Sequence, residues 1–294
     1  MYKSVNRYLK EKFGCKVYKI ALSSGCTCPN RDGTIGVGGC IFCSNQGSGD
    51  FAQSEKLSIR EQLRFGKELI ADKNRNGKYI AYFQSFTNTY GTVEELEPKF
   101  REAVSDEEVV VLSIATRPDC ISDEMLMLLS ELNEVKPVWI ELGLQTIHER
   151  TAEYIRRGYR LEVYEETVER LRACGIEVIV HVILGLPGEN KDDMLATVKY
   201  VADSGVNGIK LQLLHVLQGT DLAAEFAAGK FEVLSLEQYL DILQDALRLL
   251  PPQMVVHRLT GDGNKKELIA PLWSADKKRV LNEIHKMVLR NEKE

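Results

Sequence analysis

VVVLSIATRPD, residues 109 to 119, is an apolar, largely β-branched run that carries no charge until Arg117 and stops at a polar turn. Short β-rich runs of this kind alternate with longer amphipathic ones from about residue 79 onward, the pattern of βα units around a parallel sheet. The other strand candidates are YIAYFQSF (79–86), PVWIELGLQ (137–145), IEVIVHVIL (176–184) and GIKLQLLHVL (208–217). KVYKIALS (17–24) precedes them as a first strand, which makes six.

The intervening helices have readable starts. Thr92 with Glu95, and Ser235 with Gln238, form capping boxes, and Ser122 precedes an acidic first turn. Apolar positions such as Met125, Leu128, Leu129 and Leu132 recur at helical spacing and face a core. No repeat, low-complexity tract or Pro/Gly linker divides the 294 residues. After about residue 222 the alternation loosens into a helix (235–250), a short strand (254–259), a polar loop and a basic helix (276–291). The expected fold class is α/β, a partial (β/α)6 TIM-like barrel over residues 1–222 with a C-terminal extension over 223–294.

In parallel α/β sheets the ligand sits at the C-terminal ends of the strands. The unusual residues fall there: a cysteine loop after the first strand, then QSFTNTYG, TRPD, LQT, GLPGE and LQGT after the next five. One site built from six loops accounts for all of them. The composition, 44% hydrophobic and 28% charged, is that of an ordinary soluble domain. No apolar N-terminal leader or membrane-length apolar run occurs, so a cytoplasmic protein is expected, with no membrane partner. Residues 1–50 hold 7 basic and 3 acidic side chains and residues 251–294 hold 9 and 6, so +7 at the two ends is offset by −12 between them. A polyanionic partner would touch the ends rather than the middle, although solvated surface charge explains the pattern equally.

The cysteine loop, CTCPNRDGTIGVGGCIFC (26–43), holds four of the seven cysteines. An odd count in a chain of this kind argues against a disulfide framework. Cys15, Cys120 and Cys174 stand alone and are read as small buried hydrophobes. Two metal readings remain open at this stage. Cys26, Cys28, Cys40 and Cys43 together would suit a closed tetrahedral zinc, whereas Cys28, Cys40 and Cys43 on a cubane would leave one iron for a ligand.

The loop resembles the cluster loop of the radical S-adenosylmethionine (SAM) superfamily. It is most similar to a bacterial subgroup reading TCPNRDG followed by GGCxFC, related to the Elongator catalytic subunit. YFQSFTNTYG, ATRPDCI, ELGLQT, GLPGE, HVLQGT, HRLTGD and IAPLWS extend the similarity along nearly the whole chain. The resemblance implies a [4Fe–4S] cluster on Cys28, Cys40 and Cys43, with SAM on the fourth iron. One electron then cleaves SAM to a 5′-deoxyadenosyl radical. It also implies SAM contacts from Gln84 (or Ser85 or Thr87), Gln145, Arg157, His181 and Gly185, with Gly188 nearby; an arginine fork at 157 would suit the SAM carboxylate. Ala115 stands where the Elongator subunit has a glutamate before TRPD, so Glu141 on the next strand is the candidate acid. Cys26 receives no role.

For the substrate, the resemblance implies an oxidoreductase acting on tRNA, turning the carboxymethylaminomethyl side chain of the wobble uridine into aminomethyl. The implied partners are an electron donor such as flavodoxin or ferredoxin and a downstream methyltransferase. The tail residues His257, Arg258, Thr260, Asp262 and Trp273, and the basic triplet Lys277, Lys278 and Arg279, are candidate substrate contacts. The alternatives are a radical enzyme acting on a small molecule or protein, and a zinc-stabilised RNA-binding protein.

Overall fold

The computed structural model describes residues 2–44, 47, 52–73, 77–261 and 263–291. Its strands and helices run β1 (Lys3–Ser4), α1 (Val5–Phe13), β2 (Tyr18–Leu22), α2 (Ile59–Ile70), β3 (Tyr79–Phe83), α3 (Val93–Ser105), β4 (Val109–Thr116), α4 (Asp123–Val135), β5 (Val138–Gln145), α5 (Glu149–Tyr154), α6 (Leu161–Ala173), β6 (Glu177–Leu184), α7 (Lys191–Asp203), β7 (Gly208–Leu213), β8 (Val216–Leu217), α8 (Asp221–Ala227), α9 (Leu236–Leu249), β9 (Val255–Arg258), β10 (Leu268–Ala270) and α10 (Lys277–Asn291). Eight strands form one parallel sheet in the order β1-β9-β7-β6-β5-β4-β3-β2.

The α/β fold class read from the sequence holds, with more strands than expected. The run at 254–259 enters the sheet as β9 beside β7, and β1 adds an eighth strand beyond it. Two residues of β1 are too few for any periodicity to register. The apolar run 208–217 divides after Leu213, and its end, β8, pairs antiparallel with β10 instead. Both expected capping boxes are present, at Thr92 and Ser235, and two further boxes start α2 at Ser58 and α7 at Asn190.

The sheet is curled. Lys210 on β7 donates to the Tyr82 hydroxyl on β3 at 3.1 Å, although four strand steps span about 19 Å across a flat sheet. The convex face buries the main core under the helices, through Phe83, Ile114, Leu142, Val180 and Leu211 with Phe100, Leu129, Leu171 and Val198. The concave face is closed on one side by α1, where Leu9 packs with Ile80, Tyr82, Val111, Trp139 and Ile179. The end carrying the βα loops holds a cavity. No described helix is long and apolar enough to cross a membrane.

Candidate active site at the C-terminal ends of the strands

The cysteine loop is anchored where it leaves β2. Gln62, wholly buried on α2, accepts from the Ser23 N–H (2.8 Å) and donates to the Ser23 carbonyl (3.1 Å). Ser24 donates to Asn88 (2.7 Å), whose amide donates to the Ala115 carbonyl at the end of β4 (3.0 Å). Asn88 of QSFTNTYG therefore ties three strand ends together, while its neighbours Gln84, Phe86 and Thr87 line the cavity.

That cavity has a volume of about 190 Å³ and is lined by Cys28, Cys40 and Cys43, with Gln84, Gln145, Arg157 and His181. Seven of the eight site residues implied by the resemblance thus share one cavity. Gly185 does not line it. Its N–H points at the Met194 sulfur (3.1 Å), and a Cβ there would press on Leu234 at 3.0 Å.

The loop's own side chains set the thiols. Asn30, buried, donates to the carbonyls of Arg156 (2.6 Å) and Arg157 (3.2 Å) and reaches the Cys40 sulfur at 3.6 Å. Gly158, at φ 82°, is required at this junction, because a Cβ would meet the Asn30 amide oxygen at 2.5 Å. Arg31 donates to the carbonyls of Cys43 (3.1 Å) and Ser44 (2.5 Å) and stacks on Phe86. Burial first, then the nearby Cys43 thiol, pushes Cys40 up to about 11, against the pull of Arg117 and Asn30. Thiols crowded in this way lose their protons once a metal shares them.

Cys26 is turned elsewhere. Its thiol lies by Ser24 in the field of Lys99 and Glu95 on α3, packed against the main core. Among the described residues no three of His, Cys, Asp and Glu close on a single ion. A zinc would draw four thiolates to about 2.3 Å of one point, whereas a cubane spreads its three thiolates over three irons. The donor set fits the cluster. Cys120, left without a role by the sequence, stands beside Asp119 within the field of Cys28; burial, then Asp119, pushes its thiol up to about 12.

Backbone strain gathers at the same place. The three described non-glycine residues with positive φ are Phe86 (55°), Gln145 (65°) and Arg156 (58°). Phe86 and Gln145 line the cavity, and the Arg156 carbonyl receives Asn30. Such conformations persist only where surrounding contacts over-determine them, and they cluster at functional sites. At the β5–β6 bulge, Gln145 is aimed into the cavity. No residue pattern announces this, since φ is not written in side-chain type.

Arg157 reaches the cavity wall, 1% exposed, with its donors already shared among the Tyr159, Thr146 and Leu144 carbonyls (3.0, 2.7 and 3.4 Å) and Glu149 (3.1 Å). Arg117 is similarly held by both oxygens of Asp119 and by the Arg157 carbonyl. Gln84 differs: its buried amide nitrogen meets no partner among the described residues, so it is a donor available to a bound ligand.

Below the cysteines lies a charged layer that sequence alone does not reveal. Glu141, fully buried, accepts from Lys19 (2.8 Å), Ser113 (3.0 Å), His181 Nε2 (2.9 Å) and Lys210. Against the opposing effect of burial, the two lysines and His181 hold its carboxyl well below the usual range. Both oxygens are saturated, so Glu141 acts as the keystone of this layer and offers no acceptor to a ligand's amino group. Of the tail candidates, Arg258 lines the cavity, and His257 packs edge-on against Trp139 (5.1 Å). Thr260 is buried, and Trp273 donates to the Leu234 carbonyl (3.0 Å). Asp262 lies outside the described residues.

Burial, with Lys210, pushes His181 down to about 4, and His257 is lowered in the same direction, by burial first. The unfolded chain takes these protons near pH 6.5, the folded chain only near pH 4 at His181. Stability is therefore full above pH 6.5 and falls as the pH drops through that window. Denaturant midpoints measured across it should show the fall, and His181→Gln should flatten it; an unchanged slope in the variant would refute the assignment.

Three comparisons bear on this geometry. The chain matches the profile of the Radical SAM superfamily over residues 25–201 and that of the Radical_SAM C-terminal domain over 206–290. It is 49% identical to the uncharacterized protein YtqA of Bacillus subtilis, over 97% of this chain and 88% of that one. It is 25% identical to a tRNA uridine(34) acetyltransferase of Methanocaldococcus jannaschii, over 52% of this chain and 28% of that one. The fold is that of the solved archaeal Methanocaldococcus infernus Elp3, with a TM-score of 0.69 at 17% identity, covering 92% of this chain and 63% of that chain.

Proposed function

Because the chain belongs to the radical SAM superfamily, whose members use a [4Fe–4S] cluster and SAM, we propose that Cys28, Cys40 and Cys43 hold that cluster and that the enzyme modifies the wobble uridine of tRNA. The observation that carries the first half is the meeting of these three thiols in one cavity with Gln84, Gln145 and His181, while Cys26 faces the core. When bound, the cluster and SAM supply a 5′-deoxyadenosyl radical that takes hydrogen from the substrate.

The protein's own residues supply the rest. Asn30 and Arg31 fix the loop that presents the thiols. Gln84 offers an N–H that no described residue takes, and Gln145, at positive φ, lines the cavity. Tyr159, half-buried against Arg157 and bonded to the Gly143 carbonyl, forms part of the cavity wall.

The wobble-uridine half is supported by the relative named for tRNA uridine 34 and by the Elp3-like fold. The expected conversion is carboxymethylaminomethyl to aminomethyl: the bond from nitrogen to the carboxymethyl carbon breaks, that carbon is oxidised by two electrons with SAM as the acceptor, and water takes the two-carbon group away as glyoxylate, the priming electron coming from a flavodoxin or ferredoxin and a methyltransferase acting on the product. Nucleoside profiling of tRNA from a strain lacking the gene tests this. The carboxymethylaminomethyl nucleoside should accumulate and its aminomethyl product disappear; an unchanged profile would remove tRNA as substrate.

A further inference from the structure

Four arginines line the cavity, and among the described lining residues Glu141 is the one carboxylate. Three of the four, Arg31, Arg117 and Arg157, are framework: they hold backbone carbonyls or paired acids around the cysteine loop and the β5–α5 turn. Arg258 belongs to β9, away from those loops, and reaches the cavity by a different device.

Alternation along a strand sends only one of two adjacent side chains inward. The β7–β9 register breaks this rule: Ile209 faces Val256, but Lys210 faces Arg258, so one residue of β9 is skipped. At this irregularity His257 still packs inward on Trp139, while Arg258 lines the cavity as well. A bulge that re-aims one side chain is a recurrent feature beside active sites. The Arg258 charge is felt by Tyr82, His181 and Lys210, which places it among the inward-facing groups.

A relay across four strands then orients it. The Glu141 carboxylate accepts from His181 Nε2, so the proton of the neutral ring sits on Nε2 and Nδ1 is an acceptor. Gln212 Nε2 donates to that Nδ1 at 3.4 Å, which turns Gln212 Oε1 toward Arg258, and Arg258 Nη1 donates to it at 3.4 Å. The saturated keystone Glu141 thereby dictates the amide orientation two residues away and, through it, the guanidinium.

We propose that the β7–β9 wall of the cavity is a subsite for a carboxylate of the substrate, received by the Arg258 fork with Gln212 as its orienting partner. A planar guanidinium matches a carboxylate in two parallel hydrogen bonds. The group lies on the concave side of the curled sheet, within the field of Lys210 and His181. The source of the carboxylate rests on the function proposed above: the carboxymethylaminomethyl arm ends in one, and the aminomethyl product has lost it.

The test is equilibrium binding to the anaerobically reconstituted protein, read without turnover. The probes are anticodon stem-loops carrying the carboxymethylaminomethyl or the aminomethyl uridine, together with N-methylglycine and methylamine as small probes. The wild type should prefer the acid-bearing stem-loop by about tenfold, the scale of one charge-assisted pair. Arg258→Gln should remove the preference, and Arg258→Lys should restore part of it. Equal binding of both stem-loops by the wild type would overturn the subsite while leaving tRNA as substrate. No stem-loop binding, with N-methylglycine bound over methylamine in an Arg258-dependent way, would keep the subsite and overturn the tRNA reading. Failure of all four probes to bind would overturn both.

Discussion

Cys40→Ala leaves a protein that, after anaerobic reconstitution with iron and sulfide, holds no intact cluster and forms no 5′-deoxyadenosine from SAM and dithionite. Activity should fall to background, because the thiol removed is one of the three that line the cavity and no other cysteine lines it. Cys26 cannot replace it, since its sulfur faces α3 by Lys99 and Glu95. Cys26→Ala therefore retains iron, sulfide and deoxyadenosine formation. The contrast between the two variants is the informative result: loss of metal in both would restore the four-thiolate zinc reading. Cys120→Ala should behave like Cys26→Ala, because Cys120 stands beside Asp119 and outside the cavity lining.

Glu141→Gln carries the largest expected cost in stability. The carboxylate is fully buried and takes two ammonium groups, an imidazole N–H and a hydroxyl. Its neutral isostere keeps the shape but leaves Lys210, 1% exposed, without a counter-charge. Removing one partner of a buried ion pair costs about 3–5 kcal/mol, a large part of the stability of any single domain. Denaturant unfolding of wild type and variant measures it. Glu141→Leu combined with Lys210→Met should recover much of the loss, because an apolar pair has no charge to desolvate. A loss below about 1 kcal/mol in the single variant, in the range of a surface pair, would mean that water reaches this layer. The same variant loosens the His181–Gln212–Arg258 relay, so a selective loss of binding to the acid-bearing probe should accompany it.

The cofactor-bearing half of this protein is legible in its residues. The spacing of Cys28, Cys40 and Cys43 lies within one loop, and the strands from β2 to β7 are recorded as local apolar runs whose ends coincide with the polar motifs. Helix starts at Thr92 and Ser235 are readable because a cap involves residues three apart. All of these are short-range signals, carried by neighbours in the chain.

What tertiary structure alone decided is of a different kind. Cys26 lies two residues from Cys28 and points to another part of the molecule. Arg157, implied by the resemblance as a contact for the SAM carboxylate, is buried with its donors held by backbone carbonyls. Glu141 resembles a ligand acid and proves to be saturated by lysines from β2 and β7. Arg258 enters the cavity only because a strand is out of register. Each depends on which distant side chain arrives opposite it and on a backbone register that the sheet as a whole selects. Local periodicity determines that a strand exists and which end carries its loop. Curling of the eight-stranded sheet determines which charges share the interior, and so what the cavity can hold.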